Sequence, residues 1–426
     1  AVTPQTALFA DCLAPKQITT PEYAFMVNYA YHLDAGKFAE LLRRHCAERL
    51  GVEHVKANVT QINAAENGDI LSVTTDSAGA IAGDLFIDCT GTNSLLLGEH
   101  FKVPFQSQQA YLFNDTALAA QVPYAEDDEA IQSCTHATAQ TAGWVWDIGL
   151  PTRRGIGHVY SSAHISDDEA AAQLTAYIKA TAGEPAAASV APRKIAFAPG
   201  HRQKFWHRNC VAIGMSSGFI EPLEASALVM IELAAGMIAD QMPPTRDVMD
   251  IVAKRYNQKF LRHWEQIIEF LKLHYVLSTR EDSAYWQDNR AAISIPDKLS
   301  EQLSLWRYRS PWHPDAEAVD DLFPTASYQY ILYGMGFRTM PPTTRSHQLA
   351  QRQATELFQK ITARAQQLPQ ALPSNRELLT KVHEFGFQVL YVAGNGVEYP
   401  NESVRSSEQG RTQTPAYQDR LRRSIG

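Results

Sequence analysis

The chain has 426 residues, 45% apolar and 20% charged, enough apolar matter for a large core; this excludes a disordered, collagen-like or small disulfide-scaffold protein. Its 38 basic against 46 acidic residues leave a net charge of −8, which argues against nucleic acid as a partner because phosphate binding asks for a basic face. The five cysteines (Cys12, Cys46, Cys89, Cys134, Cys210) are scattered without a C-x-x-C pair and read as reduced core thiols in a cytoplasm, and no apolar run nears the roughly 20 residues of a bilayer span.

Residues 1–28 carry weak periodicity. From Asp34, the spacing of Phe38, Leu41, Leu42, Cys46 and Leu50 predicts an amphipathic helix that ends at Gly51. Alternation then predicts strands at 51–55 and 57–62, with a turn at Asn67-Gly68-Asp69 and a further strand at 70–73. Asp84 to Cys89 reads as a short apolar strand ending in Thr90-Gly91. Residues 105–165 read as β-rich, with strands at 143–148 and 157–160. A helix over 167–182 opens on Asp167, Asp168 and Glu169, acids that suit a helix N-terminus. A strand at 209–213, a turn at 214–218 and a helix from about Glu224 to Gln241 form a second strand–loop–helix unit. Beyond Pro244, Tyr256, Phe260, Trp264, Ile267, Leu271 and Tyr275 recur at steps of three or four, one continuous buried helix face. The expected division is 1–244 as an α/β core, 245–390 as a mostly α-helical domain and 391–426 as a polar tail.

The most informative segment runs from Ile213 to Ala227, where a strand enters a glycine-containing turn and then a helix. A helix N-terminus offers free N–H groups to an anion. Glu221 and Glu224 sit at that mouth, framed by Phe219, Ile220, Pro222 and Leu223. Spacing alone favours capping or dipole residues over functional carboxylates, although an apolar frame makes a functional carboxylate more plausible because burial tunes its pKa. Trp144 and Trp146, two apart on one strand, point to the same face and either line an aromatic cavity or simply pack. His32 and Asp34 read as polar anchors between layers. The 14 histidines form no H-E-x-x-H, so no metal is expected. G-x-G-x-x-G is absent; Gly155-Ile156-Gly157 and Gly334-Met335-Gly336 lack its third glycine and its context.

Five segments in this order resemble the flavin-dependent tryptophan halogenase family. They are Tyr29-Ala30-Tyr31-His32-Leu33-Asp34-Ala35; Asp84 to Gly91; Gly143-Trp144-Val145-Trp146-Asp147-Ile148; Ile213 to Glu224; and His274-Tyr275 with Ser278 to Asp282 and Trp286. The resemblance implies an α/β FAD-binding fold of the Rossmann-like, flavin monooxygenase type, with a β-sheet substrate layer and a helical C-terminal domain. It implies reduced FAD from a separate flavin reductase, oxygen and a halide ion, which yield hypohalous acid that travels through a tunnel to an electron-rich ring such as indole. Glu224 matches the family's catalytic glutamate. Ser226 and Ala227 match the halide-binding pair. Val59, Met215 and Leu223 match positions whose backbone touches FAD, and Trp144 and Trp146 match residues lining the substrate side.

The chain departs from the family pattern in several places. The family's lysine and its G-x-G-x-x-G both precede Tyr29, and the 28 residues found there hold neither. The expectation is an N-terminally incomplete halogenase that, as given, binds FAD poorly and is inactive. Ile148-Gly149 replaces Ile-Pro, and Ser226-Ala227 replaces Thr-Gly. The clamp for free tryptophan is not apparent around Ser327 to Tyr330, which points to indole or a larger indolic compound. Chloride or bromide preference, the ring position attacked and oligomeric state stay open, a homodimer being the expectation. The alternatives are a flavin-dependent aromatic monooxygenase, disfavoured because Gly214-Met215 stands where that group has Gly-Asp, and a non-catalytic binding protein of the same fold.

Overall fold

A computed structural model describes residues 3–315, 321–341 and 345–387. The expected tail at 391–426 lies outside them. Among the described residues two compact units emerge, one within 3–31, 128–133 and 354–387, the other within 32–127 and 134–353. In the first, helix α1 (Thr6–Phe9) contributes Leu8 to a small core with Leu13, Val27, Leu368 and Leu372. Ser374 pairs with Leu13 and opens a capping box with Glu377.

The second unit carries every candidate site residue. It starts with α2 (Ala35–Arg44), N-capped by Asp34, which accepts from Lys37 N and pairs with Arg153 at 2.8 Å. His32 meets Thr135 at 3.2 Å, so both proposed anchors have polar partners. A meander follows: β1 (Val59–Ala64), β2 (Ile70–Thr75) and β3 (Ala80–Ala82). The strand expected over 51–55 does not form. Val52 and Val55 are exposed, and no described strand lies beside them to complete a ladder.

Next come β4 (Phe86–Asp88), β5 (Phe105–Ser107) and β6 (Thr116–Pro123). Strands β7 (His136–Gln140), β8 (Gly143–Gly149) and β9 (Arg153–Tyr160) follow, then α3 (Asp167–Ala182), α4 (Glu184–Ser189) and β10 (Arg193–Ala196). These give a five-stranded antiparallel sheet in the order β10-β6-β9-β8-β7, one face of which buries Ala170, Leu174 and Ile178 of α3. Gly157 lies opposite Trp146 in the ladder, and a Cβ there would stand 2.1 Å from the indole, so the sheet admits that ring only beside a glycine.

Strands β11 (Gly200–Arg202), β12 (Trp206–His207), β13 (Cys210–Ala212) and β14 (Gly218–Phe219) then form two small sheets, β14-β11-β5 and β12-β13-β4. The β13 and β4 pair runs parallel, and Asn209 ties it to β2 through Ile70 N and O at 2.9 and 2.8 Å. Helix α5 (Ser226–Asp240) leads into α6 (Arg246–Val276), of 31 residues. All six residues of the expected stripe on α6, Tyr256 to Tyr275, are buried. Their contacts run straight across position 244: Tyr256, Phe260, Trp264, Ile267 and Leu271 share one core with Phe205, Trp206, Val211 and Met230 to Ile238. Helices α7 (Ala284–Asp288), α8 (Asp297–Trp306), α9 (Thr325–Gly334), α10 (Arg345–Ala371) and α11 (Asn375–Phe385) follow among the described residues.

Candidate active site

The site grows from the ends of two neighbouring parallel strands, where open α/β sheets place their ligands. Strand β4 ends in Asp88, fully buried, and its carboxylate fastens both adjoining turns. Oδ1 accepts from Thr90 N at 3.0 Å, Thr90 Oγ1 at 2.6 Å and Ser216 Oγ at 3.1 Å, while Oδ2 accepts from Leu96 N and Leu97 N at 2.9 Å. Burial pushes this carboxyl up, and the hydrogen bonds from Thr90, Leu97 and Leu96 outweigh it, leaving Asp88 below the ordinary aspartate value. The turns it joins, at Gly91 (φ +73°) and Gly214 (φ +64°), need left-handed backbone, and a Cβ at Gly91 would meet nothing within 4 Å. Met215, next to Gly214, is half exposed.

Beyond the turn, the chain passes Glu221 and reaches α5. The helix was expected from Glu224 and begins two residues later. Glu224 (φ 65°, ψ 6°) and Ala225 (φ 52°, ψ 31°) are both left-handed, a conformation that costs a non-glycine residue about 1–3 kcal/mol. Ser226 is therefore the first helical residue, and no side chain caps the N–H groups of it and Ala227.

The kink sends the two glutamates to opposite fates. Glu221 is 2% exposed. Its Oε2 accepts from Asn114 Nδ2 at 2.6 Å, Tyr275 Oη at 2.7 Å and Trp144 Nε1 at 2.8 Å, while Oε1 has no partner. Burial is the largest influence on this carboxyl and raises it, against the pull of those three donors. Glu224 reaches the surface, and its Oε1 lies 3.0 Å from His274 Nε2. Neighbouring residues of α6, His274 and Tyr275, thus hold one glutamate each.

Met215, Leu223, Glu224, Ser226 and Ala227 lie on one contiguous segment, and Trp144 is tied to it through Glu221. Trp144 is buried, with its ring centroid 6.4 Å from that of Trp146, so both rings do share one face. Val59 belongs to a different sheet, half exposed at the start of β1. Asn114 and the role of His274 escaped the sequence reading. Asn114 sits 107 residues before Glu221 with no motif around it, and His274 showed only as part of a quoted segment. Among the described residues no cluster of His, Cys, Asp and Glu is fit to hold a metal ion, and no helix is long and apolar enough to cross a membrane.

The family described as tryptophan halogenase matches residues 3–354. The chain is 36% identical over 381 residues to the 7-chloro-L-tryptophan 6-halogenase of Kutzneria sp. strain 744, covering 87% of this chain and 70% of that protein. It is 36% identical over 352 residues to the tryptophan 6-halogenase of Streptomyces toxytricini, covering 82% and 65%. In structure it is similar to a tryptophan halogenase from Shewanella frigidimarina NCIMB 400, with TM-score 0.86 and 52% identity over 91% of this chain and 73% of the other.

Proposed function

The chain belongs to the flavin-dependent tryptophan halogenase family, and on that premise we propose that the protein halogenates an indole-type ring with Glu224 as its catalytic carboxylate. One observation carries the assignment. Two consecutive non-glycine residues hold left-handed backbone at the mouth of α5, and that strain presents Glu224 outward while Glu221 stays in the core. Cys12, Ser94, Lys102 and Arg208 are left-handed too, but singly; among the described residues only Glu224 and Ala225 are a consecutive non-glycine pair, and strain of this kind clusters at functional sites.

The family implies FAD and halide. When bound, reduced FAD supplies with oxygen and halide the electrophilic halogen. The turns at Thr90-Gly91 and Gly214-Met215 would hold the cofactor with Leu223, and Val59 would contribute backbone from β1. The N–H groups of Ser226 and Ala227 stand at the positive end of α5 and would hold the halide. Glu224 accepts the proton that leaves the ring carbon as the carbon–halogen bond forms. Trp144 and Trp146 would wall the substrate side. A diffusing flavin reductase, a homodimer and a cytoplasmic setting complete the proposal, with indole or a larger indolic compound preferred over free tryptophan.

The test uses protein expressed from its complete coding sequence, supplied with a flavin reductase, oxygen and halide. Glu224→Gln should cut turnover about 10²-fold or more with FAD affinity unchanged. Parental turnover in that variant would remove Glu224 from the chemistry. Ser226→Pro deletes one N–H at a helix position that tolerates proline, so it should raise the halide concentration needed for half-maximal rate. A competition between indole and tryptophan decides the substrate: a clear preference for tryptophan refutes that part.

A further inference from the structure

His274 makes two hydrogen bonds, and together they fix where its protons are. Nδ1 lies 2.9 Å from the carbonyl oxygen of Phe270, one turn earlier on α6. A carbonyl only accepts, so Nδ1 carries a hydrogen. Nε2 lies 3.0 Å from Glu224 Oε1. A neutral imidazole protonated on Nδ1 offers only a lone pair at Nε2, and an ionised carboxylate offers only lone pairs. Two such atoms repel at this distance unless a proton stands between them.

We propose that Glu224 and His274 share a single proton between Oε1 and Nε2, which makes His274 the positioning residue that aims Glu224 and sets its charge. In one form Glu224 is a carboxylic acid donating to a neutral imidazole; in the other it is a carboxylate accepting from an imidazolium. Transfer between the forms breaks one O–H bond and makes one N–H bond, with no net change of charge and no other reactant. In both forms Oε1 is committed to His274, so Oε2 is the oxygen that faces the reaction. Both side chains keep some contact with solvent, 18% for His274 and 35% for Glu224, so the proton can exchange with water. The Phe270 ring closes on the imidazole edge-on at 5.3 Å. Of the other titratable groups nearby, Glu221 feels the charge of His274 but is hydrogen-bonded to Tyr275 rather than to the imidazole, and Lys272 is turned to Asn289 and the ring of Phe113. The catalytic meaning of the pair rests on the reading of Glu224 given above; the shared proton does not.

The experiment is ¹⁵N spectroscopy of the full-length protein labelled at the histidine ring nitrogens, at neutral pH. The His274 signals are those that vanish in His274→Gln, or in His274→Asn should the first variant not fold. Nδ1 is expected to be protonated, and Nε2 to resonate away from the position of a free acceptor nitrogen, toward the protonated one. In Glu224→Gln, or Glu224→Ala should that variant not fold, Nε2 should return to the acceptor position while Nδ1 keeps its hydrogen. A bare Nδ1 with the proton on Nε2 overturns the proposal, as do nitrogen shifts unmoved by loss of the carboxyl. A protein that passes this test yet makes no halogenated indole fails the functional reading alone, and one that halogenates but fails it loses only the shared proton.

Discussion

At the scale of single residues, Glu221 and Glu224 show what a motif conveys and what it hides. Their types and spacing are plain in the sequence, and the apolar frame around them hints that burial tunes at least one. Which one is buried depends on two left-handed backbone angles at Glu224 and Ala225 that no propensity foretells, since such angles are rare outside glycine. The folded protein raises the Glu221 carboxyl, so the stability this group contributes is present at acid pH and is lost as pH rises through its folded value. Glu221→Gln keeps an acceptor for Asn114, Trp144 and Tyr275 without the titration. Relative to the parent, it should gain stability as pH is raised from the ordinary carboxylate range, seen as a rising difference in urea midpoints. A difference flat in pH would show that Glu221 does not titrate there. Glu221→Leu leaves three buried donors without their acceptor at about 1–3 kcal/mol each, and should unfold far more readily than Glu221→Gln at any pH.

At the scale of elements, the helices and the wide sheet were legible because their signals are local. The α3 bounds, 167–182, match the expectation, since three acids open the helix and Gly183 closes it. The α6 stripe was equally plain. The expected strand at 51–55 was not, because a strand exists only with a neighbour, and pairing is not written in one segment. Nor does periodicity reveal that α6 carries a buried lysine. Lys272 is fully enclosed, with Nζ 2.8 Å from Asn289 Oδ1, and burial lowers its ammonium to about 7, with Glu221 pulling the other way. The sign is opposite to that of Glu221: a depressed lysine contributes stability above its ordinary value, and that stability is lost as pH falls through about 7. Lys272→Met, similar in length and without charge, should therefore become more stable relative to the parent as pH falls toward 7 and below. Melting temperatures across that range test it, and parallel curves would place the lysine outside the low-dielectric core. Ala225→Gly acts on the joint between elements. It relieves one left-handed residue while freeing the unfolded chain, so stability should change by no more than about 1 kcal/mol. Turnover should fall, because the backbone that aims Glu224 is no longer held; unchanged turnover would mean that the strain has no part in presenting it.

At the scale of the whole molecule, a change of composition at Pro244 invites a domain boundary, and the apolar contacts ignore it. Composition reports what each stretch is made of, whereas a core is defined by what touches what. Phe205, Trp206, Met230, Ala234, Met237 and Ile238 lie before position 244, and Met249, Ala253, Tyr256, Phe260 and Trp264 lie after it, all in one cluster. Removing α6 would return those earlier faces to water at about 25 cal/mol for each Å² of apolar surface, and single domains hold only about 5–15 kcal/mol in reserve. It would also take Tyr275 from Glu221 and His274 from Glu224, so the site would lose its anchors together with its cover. A chain ended after Pro244 should accordingly bind a hydrophobic dye strongly, aggregate on concentration and show no cooperative melting, while the same chain carried through α6 and α9 should melt cooperatively. If residues up to 244 alone stay monomeric and unfold in one sharp transition, the core has been drawn across a boundary that the protein respects.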